Sequence, residues 1–369
     1  MNRRDFTLGA GALALAAATA PASAQDNFLS AARSVWRRST IIDGNIYPPV
    51  GSDTFPQPPE VLALARSSGV SAVKASIGGY DAPFTDVVAE IAFHHRLIEA
   101  HPDVFMQIRT VADIETAKRT RKLGIILSFE SVAALETDID RIDLFRNFGV
   151  RVMQLSYNLP SPFGAGVLSP EDSGLTDLGR EAVARMNAVG VAVDLSHSNA
   201  LTTRGAIEAS TKPVLVTHTG CAAVHAHPRH KSDEQLRAVA EKGGVVGIYT
   251  LFYLAPSPRQ PNLDDFMAHM THALNVCGED HVGFGSDTAF DRFDESEESR
   301  AQWRAETERR IAAGVAAPGE DGRLPMTEGL NRADRALVIA DGLMRRGYSA
   351  RAVEKVLGGN FLRAFGEIW

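Results

Sequence analysis

Short apolar runs recur along the chain and are separated by longer segments with helical periodicity. The runs are dense in Val, Ile and Leu without strict alternation, which is typical of parallel strands buried on both faces. Two of the intervening segments, residues 178–189 and 233–242, predict helices, because Gly190 follows the first and Ser232 precedes the second as a natural N-cap. The predicted strands are residues 40–43, 72–77, 104–108, 124–129, 150–156, 191–196, 214–217, 245–249 and 281–286.

The alternation of strands and helices over the whole chain predicts an α/β fold with a parallel sheet. We expect a single (β/α)8 TIM barrel over residues 25–369. A closed barrel needs eight strands, so one run is surplus, and we expect it to be the short run at residues 104–108. Residues 291–324 are highly charged and follow the last run directly. They predict a surface insertion near the mouth of the barrel, where a loop can act as a lid.

Residues 1–24 are typical of an export signal. Arg3 and Arg4 precede an apolar run at residues 8–18, and the Ala-Ser-Ala sequence at residues 22–24 offers a cleavage site. The paired arginines, followed by Phe6, predict a signal of the twin-arginine type. The apolar run is shorter than the roughly 20 residues that a membrane-spanning helix needs. We therefore expect a periplasmic or secreted protein with no stable membrane insertion after cleavage.

The composition excludes several classes of protein. The chain has 369 residues, of which 44% are apolar and 22% are charged, and its net charge is −7. These values fit a globular protein and exclude a collagen-like or wholly disordered chain. The acidic balance argues against binding to duplex nucleic acid, so we expect no such partner. Cys221 and Cys277 are too few for a disulfide scaffold or a four-cysteine zinc site, and the sequence leaves open whether they pair.

Four of the predicted strands run directly into a residue that can bind a metal or move a proton. These residues are Glu130, His197, His218 and Asp287. In a barrel the carboxyl ends of all strands meet at one face, so we expect the four side chains to share one site. Two imidazoles and a carboxylate suit Zn²⁺, and an aspartate beside a metal-bound water suits acid–base chemistry.

Over most of its length the chain resembles the membrane dipeptidase (renal dipeptidase, peptidase M19) family of the amidohydrolase superfamily. The resemblance implies a (β/α)8 barrel of the metal-dependent hydrolase type, with two zinc ions, that hydrolyses dipeptides. It also implies a possible homodimer. The similarity is densest at residues 149–157, 190–197, 213–218, 227–229 and 283–287.

The resemblance also implies a role for individual residues. Glu130 matches a glutamate that bridges the two metals, and His197 and His218 match the histidines that hold the second metal. Asp287 matches an aspartate that handles protons. Arg229 matches an arginine that grips the carboxylate of the substrate, a role that suits the bidentate geometry of guanidinium.

The first strand departs from the family pattern. Asn45 and Tyr47 stand where the family has a histidine and an aspartate that hold the first zinc. We therefore expect one tightly held zinc ion, with Asn45 and Asp287 as ligands of a first site that is weak or absent. Tyr157 replaces a histidine that polarises the substrate carbonyl, and its hydroxyl could still stabilise an oxyanion. We also expect Tyr157 and His227, which lies beside Arg229, to contact the substrate.

The leading hypothesis is an exported metal-dependent dipeptidase that hydrolyses the amide bond of small dipeptide-like substrates through a metal-activated water. A second hypothesis keeps the barrel and one metal but changes the bond to that of a lactone, an ester or an N-acyl amino acid. The altered first strand motivates this alternative, because losing a metal changes what a site can activate. A third hypothesis is a non-catalytic barrel that binds a small carboxylate. The presence of all four strand-end residues counts against it.

Overall fold

A computed structural model describes residues 22–369 as a barrel of parallel strands surrounded by helices. Each barrel strand is almost fully buried, because helices cover its outer face and side chains fill the interior. The predicted (β/α)8 fold is confirmed. The strands are β1 Ile42–Ile46, β2 Ala72–Ile77, β3 Phe105–Gln107, β4 Leu123–Phe129, β5 Val150–Gln154, β6 Ala192–Asp194, β7 Leu215–Thr219, β8 Val245–Ile248 and β9 Val282–Phe284.

The order of the strands around the barrel is β1-β2-β4-β5-β6-β7-β8-β9, and every pair is parallel. Strand β3 pairs only with β4 and lies off this path, as expected for the surplus run. Strands β1 and β9 share no continuous ladder. Hydrogen bonds beyond their ends join them, including one from the Asp287 N–H to the Asn45 carbonyl at 2.6 Å and one from the Tyr47 N–H to the Thr288 carbonyl at 3.1 Å.

The helices begin and end at the sequence signals that predict them. In α6 the Thr176 hydroxyl accepts from the Gly179 N–H, and Gly190 ends the helix at a φ of 72°. In α8 Ser232 and Gln235 form a capping box. The helices are α1 Ala22–Arg38, α2 Pro59–Ser67, α3 Phe84–Ala100, α4 Val111–Thr120, α5 Arg141–Phe148, α6 Asp177–Val189, α7 Ala200–Ala209, α8 Asp233–Glu241, α9 Leu263–Cys277, α10 Glu297–Ala312, α11 Arg335–Arg345, α12 Ala350–Glu354 and α13 Asn360–Ile368.

Helix α13 closes the end of the barrel opposite the predicted site. Phe361 and Phe365 on this helix are fully buried against one residue from each of several strands. Gly44 and Gly283 make room for the Phe361 ring, since a Cβ at either position would lie within 2.7 Å of it. The glycines in the middle of β1 and β9 are therefore packing requirements of the plug.

Several expectations concern the ends of the chain and the cysteines. The predicted signal lies outside the described residues except for its last three positions, so export stays a prediction. In the part of the chain from residue 22 onward, no helix is long and apolar enough to cross a membrane. Cys221 and Cys277 are both buried free thiols. The Cys221 thiol faces the carbonyl of His269, and the Cys277 thiol faces that of Leu236.

We predict that Phe361→Ala lowers the free energy of unfolding by about 3 to 5 kcal/mol, because the change leaves a cavity where the ring closes the barrel. Chemical denaturation measures this loss. Glu367→Ala is the matched control on the exposed face of the same helix, and it should change stability by no more than about 0.5 kcal/mol. Equal effects of the two changes would show that α13 does not act as a plug.

Candidate active site

A cavity of about 370 Å³ opens at the carboxyl-terminal mouth of the barrel, within the ~300–1,000 Å³ range of small-molecule sites. One side of it carries Glu130, His197 and Asp287, which follow β4, β6 and β9. Another, apolar and aromatic side comes from the turn after β8, from the charged insertion and from the residues just after it. This apolar side includes Leu251, Phe252, Tyr253, Trp303 and Met326.

The structure brings together the three residues predicted to hold a metal. One ligand atom from each of Glu130, His197 and His218 lies within 4.8 Å of the others, and all three side chains are buried. Burial, followed by the positive charge of Arg229, lowers the pKa of both histidines well below the ordinary value. Both imidazoles are therefore neutral at physiological pH, as metal ligands must be.

Hydrogen bonds on the far side of each ring set its tautomer. Nδ1 of His197 donates to the Asn158 side-chain oxygen at 2.8 Å. Nδ1 of His218 lies 2.9 Å from the Thr217 hydroxyl, which itself donates to Asp194 at 2.5 Å and so accepts from the ring. In both rings the hydrogen sits on Nδ1, and Nε2 keeps its lone pair for a ligand.

The Nε2 atoms test whether a metal fits this site. Nε2 of His218 is buried and has no hydrogen-bond partner among the described residues, which is costly unless a ligand binds there. Nε2 of His197 accepts from Nη2 of Arg229 at 3.0 Å. A metal at His197 would take that lone pair. The donor set of one carboxylate and two neutral imidazoles fits Zn²⁺.

Asp287 has a strained backbone and a perturbed carboxyl group. Its φ of 58° is left-handed, a conformation that clusters at functional sites in non-glycine residues. Burial, followed by the negative charge of Glu130, raises the pKa of Asp287 well above the usual carboxyl range. One carboxylate oxygen, Oδ1, accepts from the Asn45 amide at 2.7 Å.

Asn45 lies inside β1, whereas the predicted strand ended at residue 43. Its Nδ2 donates to Glu130 Oε1 and to Asp287 Oδ1, each at 2.7 Å. Its Oδ1 accepts from Nζ of Lys74 at 2.6 Å. Sequence reasoning missed Lys74, a fully buried lysine on β2. The signal was present, since a lysine interrupts an otherwise buried apolar strand, where an unpaired charge is rare.

The insertion forms the roof of the cavity. From α10, Arg310 makes a bidentate pair with Glu320 at 2.7 and 2.9 Å, and Tyr253 also donates to Glu320. Nη2 of Arg310 donates to the Tyr157 hydroxyl at 3.2 Å, and the Tyr157 ring stacks on His197 with centroids 4.1 Å apart. Sequence reasoning placed residues 291–324 near the mouth but did not identify Arg310 or Glu320.

Arg229 is buried beside the metal-binding triad. Its Nη1 donates to the Ser196 carbonyl at 2.6 Å, and its guanidinium lines the cavity. His227 does not line the cavity. Its Nε2 lies 2.7 Å from the Pro318 carbonyl, and its Nδ1 accepts from the Arg229 N–H at 3.2 Å. Both ring nitrogens are therefore occupied. This placement does not support direct substrate contact by His227, and it ties the Arg229 loop to the insertion instead.

Tyr47 lines the cavity and is 54% exposed as a residue. The negative charge of Glu130, followed by burial, raises the pKa of Tyr47 well above its ordinary value, so the phenol lies close to the carboxylates. Its backbone joins β1 to the segment after β9, since its N–H donates to the Thr288 carbonyl and its carbonyl accepts from the Phe290 N–H, both at 3.1 Å. Tyr47 therefore contributes to the rim of the site and to closure of the barrel.

Comparisons with known proteins agree with this geometry. The sequence model of the family described as membrane dipeptidase (peptidase family M19) matches residues 63–299. The chain is 28% identical over 270 residues to an uncharacterised protein from the pqqA 5′ region of Klebsiella pneumoniae, a match that covers 70% of this chain and 88% of that protein.

Solved structures share the fold. An amidohydrolase from Pseudomonas aeruginosa superposes with a TM-score of 0.78 at 28% identity, covering 92% of this chain and 99% of that one. A metallo peptidase from Rhodobacter sphaeroides, bound to a phosphinate mimic of the dipeptide L-Ala-D-Ala, superposes with a TM-score of 0.72 at 20% identity, covering 90% and 99%.

We predict that His218→Ala abolishes stoichiometric zinc binding, because it removes the ligand nitrogen that has no other partner. Metal analysis of the purified protein measures the loss. His230→Ala is the matched control, since His230 is also buried with an unpartnered Nε2 but lies outside the triad. Retention of zinc in His218→Ala would rule out this nitrogen as a ligand.

Proposed function

Because the chain belongs to the membrane dipeptidase family, peptidase family M19, we propose that it is a metal-dependent hydrolase that cleaves the amide bond of small dipeptide-like substrates. The observation that carries the proposal is the buried triad of Glu130, His197 and His218 with a free imidazole nitrogen. Asp287 lies beside it in the same cavity. A binding protein has little need for a metal triad and a strained acid together.

Glu130, His197 and His218 would hold one zinc ion, which supplies a Lewis acid and lowers the pKa of a bound water. Asp287 moves the proton. Its Oδ1 is held by Asn45, so Oδ2 takes a proton from the attacking water and returns it to the nitrogen of the leaving amine. The raised pKa of Asp287 suits both steps, because the protonated and ionised forms of the carboxyl group then differ little in free energy near neutral pH.

Arg229 and Tyr157 orient the substrate. Nη2 of Arg229 donates to the lone pair that a metal needs on His197. If His197 held the metal, Nη2 would be free to bind the substrate carboxylate, which would restrict substrates to short ones. The Tyr157 hydroxyl accepts from Arg310 and has no acceptor for its own hydrogen among residues 22–369. That hydrogen can donate to the oxyanion that develops on the cleaved carbonyl.

The roof determines what else the cavity accepts. The apolar side, which includes Phe252, Trp303 and Met326, lines the same cavity as the polar residues. It would favour an apolar side chain on the substrate. The roof is fastened to the barrel by hydrogen bonds of Glu320 with Tyr253, of Arg310 with Tyr157 and of the Pro318 carbonyl with His227. Opening of residues 291–324 as a lid would have to break these contacts.

The second candidate is hydrolysis of a lactone, an ester or an N-acyl amino acid with one metal. The observation that favours it is the bridge from Asn45 to Glu130 and Asp287, which occupies the position of the predicted first metal site. An ester or lactone has a better leaving group than an amide and needs less activation. We also propose export through the twin-arginine-type signal of residues 1–24; the homodimer stays a prediction.

The proposal is tested by metal analysis of the mature protein together with a panel of dipeptides that includes D-residues. We expect about one zinc per chain and turnover of at least one dipeptide. Matched esters, lactones and N-acyl amino acids serve as the comparison set. Turnover of these compounds without any dipeptide would establish the second candidate, and absence of both metal and hydrolysis would leave only a binding role.

We predict that Asp287→Asn lowers kcat by about 10²- to 10⁴-fold, because an amide cannot accept the proton from water. Zinc content should stay at the wild-type level, since the triad is intact. Asp291→Asn changes another acid at the mouth of the cavity and should retain most of the activity. Loss of zinc together with activity in Asp287→Asn would make Asp287 a metal ligand rather than the proton carrier.

A further inference from the structure

Lys74 lies with its charge inside the barrel and is completely buried. Its Nζ is 2.6 Å from Asn45 Oδ1 and 3.5 Å from Asp194 Oδ2. A buried ammonium is stable only when it is paired and hydrogen-bonded. Lys74 therefore belongs to the charge balance of the site, although it does not line the cavity.

The orientation of the Asn45 amide follows from its partners. An ammonium can only donate, so it must face the amide oxygen, and carboxylates can only accept, so they must face the two N–H groups. Nδ2 donates one hydrogen to Glu130 and the other to Asp287. The Asn45 side chain thus directs hydrogens, and no lone pair, at the space between the two carboxylates.

Glu130, which is buried, and Asp287, which is partly buried, converge on one nitrogen. Two carboxylates so placed would ordinarily attract a divalent cation. Here the amide dipole, polarised by the ammonium behind it, supplies the compensating positive charge. The same ammonium faces Asp194, which accepts from the Thr217 hydroxyl that sets the tautomer of His218. The chain of contacts links the acidic pair on one side to the metal-binding histidine on the other.

We propose that Lys74, acting through Asn45, is an internal cation that takes the place of a second metal ion, positions Glu130 and Asp287, and limits the site to one divalent ion. This inference deepens the proposed function and rests on it for the bound metal. Lys74 is a positioning residue, since it acts on the reacting groups only through Asn45. The sequence alone predicts a weak first metal site, because two of its ligands are missing. The structure points to Lys74 and Asn45 as the groups that take over the role of the metal ion there.

The test counts zinc ions per chain by elemental analysis and by calorimetric titration of the metal-free protein. Wild type should bind one. Asn45→Asp alone should also bind one, because the new carboxylate pairs with Lys74. Asn45→Asp combined with Lys74→Met leaves three converging carboxylates without the Lys74 ammonium, and we expect it to bind two. Thermal unfolding, measured with and without zinc, establishes that each variant is folded under the conditions in which its zinc ions are counted.

Asn45→Asp combined with Lys231→Met is the matched control. Lys231 is another buried lysine, whose Nζ donates to the Ser198 carbonyl rather than to Asn45. This control keeps Lys74, so it should bind one ion. Two ions in the control, or one ion in the folded Asn45→Asp/Lys74→Met variant, would overturn the role of Lys74.

Two ions in the wild type would overturn the inference even if no variant folded. The count does not depend on turnover, so the two proposals can fail separately. One ion without dipeptide hydrolysis would refute the proposed substrate and keep the internal cation. Two ions with dipeptide hydrolysis would refute the internal cation and support the proposed substrate.

Discussion

The hydrogen bonds between β1 and the segment that follows β9 form a seam that closes the barrel and holds the site together. Asp43 accepts hydrogen bonds from the Ser286 N–H at 2.8 Å and from the Ser286 hydroxyl, and the Asp287 N–H donates to the Asn45 carbonyl. Burial raises the pKa of Asp43 to about 6, so these donors stabilise a carboxylate that is costly to bury. The seam holds Asp287 in its left-handed conformation and aims it at Glu130.

Charge compensation inside the barrel is the second constraint, and it depends on the seam. Glu130 and Asp194 are buried carboxylates, Asp287 is a partly buried one, and Lys74 and Arg229 are buried cations among them. Each makes at least one short hydrogen bond to a neighbouring protein group. Such a network is rigid because every member would lose its partner if one moved. The protein therefore prepares its reacting groups before a substrate enters.

The insertion shows that a late segment of the chain can orient an early part of the site. The Val315 carbonyl accepts from the Asn158 amide at 2.8 Å, which turns the Asn158 oxygen toward His197. Arg310 meets the hydroxyl of Tyr157 in the same way. The roof thus does more than cover the cavity, because it helps to set which nitrogen of His197 carries the proton and it holds the Tyr157 hydroxyl.

The sequence by itself determined the strands, the surplus run at residues 104–108 and the convergence of Glu130, His197, His218 and Asp287. These follow from local patterns and from one rule, that parallel strands of a barrel end at the same face. Only the tertiary structure decided that Lys74 is the partner of Asn45 and that His227 contacts the Pro318 carbonyl of the insertion. Such contacts join positions far apart in the chain, and which side chains meet depends on strand register and insertion path, neither of which leaves a local pattern.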